Sequence, residues 1–132
     1  MMPTSQFRVS LSKVMQELSL DVINMCGDPD KIMISSMDVN RPGLELNRFF
    51  DYYDTSRIVI FGNAETAFLD SLEPAERAKV LDELFSQKPP AAIIARGLKP
   101  APELLEATKQ NGVPLLSTQE TTSSLVAALV QF

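Results

Sequence analysis

Three short, almost wholly apolar runs punctuate the second half of this chain: Ile58-Val59-Ile60-Phe61, Ala91–Ala95 and Val113–Leu116. A strand that is apolar at consecutive positions, rather than alternate ones, needs cover on both faces. That is the situation of a parallel sheet flanked by helices. A helical pattern follows each run. Gly62-Asn63 ends the first, and Asn63 is expected to cap a helix carrying Ala64, Ala67, Phe68, Ser71 and Leu72 on one face. Pro74 opens a second helix with a stripe of Ala78, Leu81, Leu84 and Phe85, and Pro89-Pro90 stops it. Pro102 opens a third with Leu104, Leu105 and Thr108 inward, closed by Asn111-Gly112. Thr121 or Thr122 caps the last, which carries Leu125, Val126, Leu129 and Val130. Strand and helix alternate throughout, so the expected fold is α/β: a three-layer, mostly parallel sheet flanked by helices.

The first half is less regular. Ser10 is a plausible N-cap for a helix with Leu11, Val14, Met15 and Leu18 at i, i+3, i+4 and i+7. Val22–Met25 and Ile32–Ile34 read as strands on either side of the turn Gly27-Asp28-Pro29-Asp30. Met33 and Met37 are expected to fill the core. Then Asn40-Arg41-Pro42-Gly43, a rigid turn, abuts the apolar and aromatic cluster Leu44, Leu46, Phe49, Phe50, Tyr52 and Tyr53. Proline fixes φ and glycine permits a positive one, so the chain turns sharply there. Two readings stand: a structural corner anchoring the aromatic segment, or a binding edge for another domain or subunit. Tyr52 and Tyr53 suit both, since tyrosine serves cores and interfaces alike.

Composition narrows the chemistry. The 132 residues include no histidine, which removes Ser-His-Asp and Cys-His catalysis and the usual zinc ligand sets. Twelve basic against 17 acidic side chains give a net charge of -5, a poor match for a phosphate backbone, so no nucleic-acid partner is expected. No apolar run approaches the roughly 18 residues of a membrane span, and the amino terminus lacks a signal-peptide core. The single Cys26 reads as a small apolar core residue in a protein of the reducing cytoplasm. Glu73, Glu76, Asp82 and Glu83 with Arg77, Lys79 and Lys88 read as a solvated helix face with ordinary surface pairs.

The run MDVNRPGLEL (37–46) followed by FFDYY (49–53) resembles the amino-terminal domain of the HPr kinase/phosphorylase family. RIVIFGNAETAFLDSL (57–72) and AAIIARGLKPAPELLEATKQNGVPLLSTQETTSSLVAAL (91–129) resemble the family in the same order. The resemblance implies a fold like that of the Mur ligase amino-terminal domains, and a bacterial parent that phosphorylates and dephosphorylates a serine of HPr using ATP and Mg²⁺. The family's chemistry belongs to a carboxy-terminal domain with a P-loop, G-x-x-x-x-G-K-[ST]. The five glycines here, at 27, 43, 62, 97 and 112, include no pair five apart and none before a lysine. Residues 1–132 are therefore expected to form a single, non-catalytic domain without a cofactor of its own. Its expected partners are its own catalytic domain or other subunits, with HPr as the substrate of the full-length family. A final helix pattern running to Phe132 without a stop signal suggests a chain cut from something longer.

Ligand binding is expected, if anywhere, at the carboxyl ends of the parallel strands, where open α/β sheets hold ligands. Those ends carry Asn63 and Glu65, Arg96 and Gly97, and Ser117 and Thr118. Helix N-termini attract anions, and Arg96 could add a bidentate contact. The competing reading is an Arg96–Glu65 ion pair across neighbouring loops. Function is accordingly read as a regulatory or assembly domain, with a free-standing sensor of a small anionic metabolite as the alternative.

Overall fold

The computed structural model describes residues 9–34, 39–40 and 57–130. The elements run β1 (Val9–Ser10), α1 (Leu11–Glu17), β2 (Asp21–Asn24), β3 (Met33–Ile34), β4 (Val39–Asn40), β5 (Ile58–Phe61), α2 (Asn63–Asp70), α3 (Pro74–Phe85), β6 (Ala92–Ile94), α4 (Pro102–Asn111), β7 (Leu115–Ser117) and α5 (Thr122–Val130).

The apolar runs do become the sheet's centre. Five strands pair in the order β2-β7-β6-β5-β4, with β4, β5, β6 and β7 mutually parallel. Side chains along a strand alternate between faces, and the two cores divide accordingly. Ile58, Ile60, Ile93 and Leu116 meet Leu11 and Val14 of α1 and Leu125 and Leu129 of α5. Val59, Phe61, Ile94 and Leu115 meet Leu69 of α2, Leu81, Leu84 and Phe85 of α3, and Leu104 and Ala107 of α4. Helices thus cover both faces, giving the expected three layers around a mixed, mostly parallel sheet.

The helix ends follow local chemistry. Ser10 caps α1 by accepting from the Lys13 amide at 3.2 Å. Thr121, rather than Thr122, caps α5: its hydroxyl accepts from the Ser124 amide at 3.1 Å. Gly112 closes α4 in the left-handed region at φ 69°, as a C-terminal glycine should.

Several expectations need correction. The two early strands form, but in different sheets: β2 runs antiparallel to β7 at the edge of the main sheet, and β3 pairs antiparallel with β1 in a separate ladder. Met33 is 42% exposed and fills no core, because the β1–β3 ladder has only one covered face. Met37 lies outside the described residues. Cys26 is half-buried rather than internal, its thiol lying 4.0 Å from the Thr108 carbonyl. The first helix of the second half begins at its expected cap, so the true cap lies one residue earlier. Gly62 is the N-cap, and Asn63 is the exposed first helical residue.

Candidate functional site

The parallel register brings the expected strand-end residues to one edge. Phe61 lies opposite Ile94, Ile94 opposite Ser117, and Ser117 opposite Asp21. Gly62–Glu65, Arg96–Gly97 and Thr118–Glu120 all leave the sheet beyond that row. Asn40, the last residue of β4, is two positions short of the same edge, opposite Val59. Arg41, Pro42, Gly43, Tyr52 and Tyr53 lie outside the described residues.

What the loops do there is satisfy one another. The Arg96 amide donates to the Glu120 carbonyl at 2.8 Å, and the Gly97 amide to the Thr118 carbonyl at 2.8 Å. The Glu120 amide donates to the Thr118 hydroxyl at 3.2 Å. Arg96 and Gly97 form the centre of a tight turn, closed by the Leu98 amide on the Ala95 carbonyl at 3.2 Å. Both central residues have positive φ, 63° and 64°, as in a type I′ turn. Arg96 and Gly97 are therefore joined to Glu120 and Thr118 through backbone.

The expected Arg96–Glu65 pair does not form. Glu65 is 5% exposed and turns back on its own helix, where its carboxylate accepts from the Gly62 amide at 2.8 Å. Arg96 is exposed. The carboxylate also sits in the first turn of α2, where it complements the positive helix end that an anion would otherwise seek. Asn63, Arg96 and Ser117 remain available at the edge as polar groups.

Sequence reading missed two features. One is Arg77, assigned to a solvated face and found nearly buried, with its side chain 15% exposed. Its Nε donates to the Leu69 carbonyl at 2.8 Å, one terminal nitrogen to the Leu72 carbonyl at 2.9 Å, and the other to Glu103 at 2.9 Å. The partner is 26 positions away, so no local spacing announces it. The other is a cleft of about 80 Å³ at the ends of β5 and β6 on the α2/α4 side. Its polar lining, Thr66, Asp70 and Lys99, is spread over two segments of unremarkable sequence.

The turn carries a prediction. Gly97→Ala should cost about 1–2 kcal/mol, the penalty of a side chain in the left-handed region. A Cβ there would also meet the Gln119 side-chain amide, but that flexible end can swing away. Arg96→Gly should relieve strain and leave stability equal or higher. Urea midpoints of both variants check this. An unchanged midpoint for Gly97→Ala, or a marked loss for Arg96→Gly, would show that conformation is not what fixes these residues.

A mixed α/β sandwich with self-satisfied loops at its strand ends defines a domain class. Family comparison then places it. Residues 9–132 match the family described as HPr Serine kinase N terminus, and the chain belongs to that family. It is 36% identical over 126 residues to the HPr kinase/phosphorylase of Caldicellulosiruptor bescii, covering 96% of this chain and 40% of that one. It is 33% identical over 124 residues to that of Streptococcus pyogenes, covering 94% and 40%. The chain thus spans about 40% of the length of these curated relatives. Among solved structures it resembles the CBS and DRTGG domains of the regulatory region of Clostridium perfringens pyrophosphatase, determined with the activator diadenosine tetraphosphate. The TM-score is 0.63 at 20% identity, over 92% of this chain and 46% of that one. That likeness is one of fold. Among the described residues no helix is long and apolar enough to cross a membrane.

Proposed function

We propose that residues 1–132 act as one non-catalytic unit of a bifunctional HPr serine kinase/phosphorylase, serving regulation or assembly in bacterial carbon-source control. The observation that supports this reading is the coverage. The chain matches only about 40% of its relatives' length and carries no G-x-x-x-x-G-K-[ST] cradle for ATP phosphates. ATP, Mg²⁺ and HPr then belong to the remainder of such an enzyme. This chain's own contacts are with its catalytic domain or with other subunits.

Incubation of the pure chain with labelled ATP, Mg²⁺ and HPr tests the reading. No transfer of label to HPr is expected. Stoichiometric labelling would overturn it.

An alternative is a sensor of an anionic metabolite at the strand ends, in the manner expected from a Mur-ligase-like domain. One observation favours it: Arg96 is exposed beside the start of α5 and has no ion-pair partner among the described residues. The solved relative in fold was determined with diadenosine tetraphosphate, which makes that compound, inorganic phosphate and UDP-sugars the natural probes. The amides of residues 96 and 97 already donate to neighbouring carbonyls, so the weight of any such site falls on the Arg96 guanidinium. Binding should weaken with salt and disappear in Arg96→Ala.

A further inference from the structure

Asn111 and Gly112 form the chain's single Asn-Gly pair; the other asparagines precede methionine, arginine or alanine. Such a pair has chemistry of its own. A glycine sets no side chain beside its amide nitrogen, which can attack the carboxamide carbon of the preceding asparagine and close a cyclic imide. The N–Cγ bond forms, the Cγ–Nδ2 bond breaks, and the side-chain nitrogen leaves as ammonia with the glycine amide proton. Water then opens the ring at either carbonyl, leaving aspartate or, with the main chain rerouted through Cβ, isoaspartate. The sequence of steps needs water alone.

The fold sets this pair in a clasp between two helices. Asn111 is the last residue of α4, and Gly112 follows it at φ 69°. The Asn111 carboxamide donates to the Asp82 carboxylate of α3 at 2.9 Å and to the Ala107 carbonyl at 2.9 Å. The Lys88 ammonium, just past α3, donates to the Asn111 carbonyl at 2.7 Å. The two carboxamide bonds hold the reacting carbon toward the preceding turn of α4. The attacking group is held less firmly: the Gly112 amide is shared between the Thr108 and Lys109 carbonyls, the latter at a long 3.3 Å. Gly112 is exposed, so water reaches it.

We propose that Asn111 is a site of spontaneous deamidation, gated by fraying of the last turn of α4, and that its product opens the clasp. Helix ends open locally at small free-energy cost, and the Asp82 contact faces solvent. Loss of the amide turns a donor into an acceptor. The new carboxylate would face the Asp82 carboxylate and the Ala107 carbonyl, both deprived of their donor, at the negative end of α4. Lys88 offsets part of that charge. Isoaspartate also lengthens the main chain just before Gly112, which pulls the Val113 amide from its 2.9 Å bond to the Thr108 carbonyl. Neither product reverts unaided. The proposal does not depend on what the parent enzyme catalyses.

The test is incubation of the folded 132-residue chain in mildly alkaline buffer, with and without urea, followed by tryptic mapping. Cleavage after Lys109 puts Asn111 in the peptide 110–132. Conversion of that asparagine is expected in the folded chain, ahead of any other, and at least about tenfold more slowly than in urea, because opening is the gate. Asp82→Ala, at an exposed position, should stay folded by circular dichroism and react about threefold faster, as for loss of one exposed hydrogen bond. Asn111→Asp, which mimics one product, should lower the thermal midpoint. Combining it with Asp82→Asn swaps donor and acceptor and should restore most of the loss. No conversion in the folded chain while the chain in urea converts would overturn the proposal. So would an unchanged rate in Asp82→Ala, or an Asn111→Asp variant that melts with the parent.

Discussion

Phe85→Ala is expected to lower stability by about 3–5 kcal/mol, the range for removing a buried aromatic side chain. Phe85 is fully buried at the end of α3, and its ring lies 6.1 Å from that of Phe61, tilted by 34°. Around it stand Val59, Ala92 and Leu115 from the sheet, with Leu81, Leu84 and Leu104 from the helices. Side chains anchored on a hydrogen-bonded sheet cannot move far enough to fill the space, so a cavity would remain. The aromatic pair adds about 0.5–1.5 kcal/mol beyond its buried area. Phe85→Leu keeps most of the volume and should cost far less. Urea unfolding monitored by far-UV circular dichroism measures both, with the slope expected to stay constant. Val22, 51% exposed on β2, is the internal control: Val22→Ala should fall within about 0.5 kcal/mol of the parent. A loss below about 1 kcal/mol for Phe85→Ala would mean that α3 repacks and that the core is looser than its burial implies.

Phe61 belongs to both that core and the cleft, because the ring that meets Phe85 also lines the cleft at the ends of β5 and β6. The central strands were legible because their chemistry is local. Ile58–Phe61 is apolar at every position, and a chain that buries both faces of a strand has few alternatives. Helix rotation was harder to read. For α2 the apolar residues suggested a face of Ala64, Ala67, Phe68, Ser71 and Leu72; Phe68 and Leu72 do border the core, but the buried pair is Glu65 and Leu69. A buried glutamate defeats a hydrophobicity reading, and it is buried because it serves the Gly62 amide. In α3 Leu81, Leu84 and Phe85 are internal as expected, with Val80 in place of Ala78. In α4 Leu104 and Thr108 are internal, joined by Ala107, while Leu105 only borders the core.

Strand order and the strand-end site were beyond local reading for a common reason. Nothing in Asp21–Asn24 announces that it lies antiparallel to a strand about 90 residues later. Likewise, Arg96 and Glu65 looked like an ion pair because their loops are neighbours. Their fates were decided elsewhere, one by a left-handed turn and the other by its own helix cap.

Arg77→Ala should cost about 1–3 kcal/mol through its two carbonyl partners alone, the range for leaving part-buried hydrogen-bonding groups unmet. The guanidinium ties the last turn of α2 at Leu69, the α2–α3 connection at Leu72 and the first turn of α4 at Glu103. A lysine carries the charge but not the planar fork, so Arg77→Lys should recover little of the loss. The acidic limb tests the third contact separately. The Arg77 hydrogen bond, opposed in part by desolvation, holds the Glu103 carboxyl below its ordinary value of 4.5. A carboxyl whose folded value lies below its unfolded one contributes stability above the unfolded value and loses it as pH falls through the folded one. The parent chain should therefore lose stability below about pH 4.5 faster than Glu103→Gln, which has no carboxyl to protonate at that position. At neutral pH Glu103→Gln should be the less stable of the two, so the difference between them narrows on acidification. Stability curves for the two proteins that stay parallel from pH 7 to pH 3 would show that the 2.9 Å contact contributes nothing to folding. Arg77 would then act through its two carbonyl partners alone.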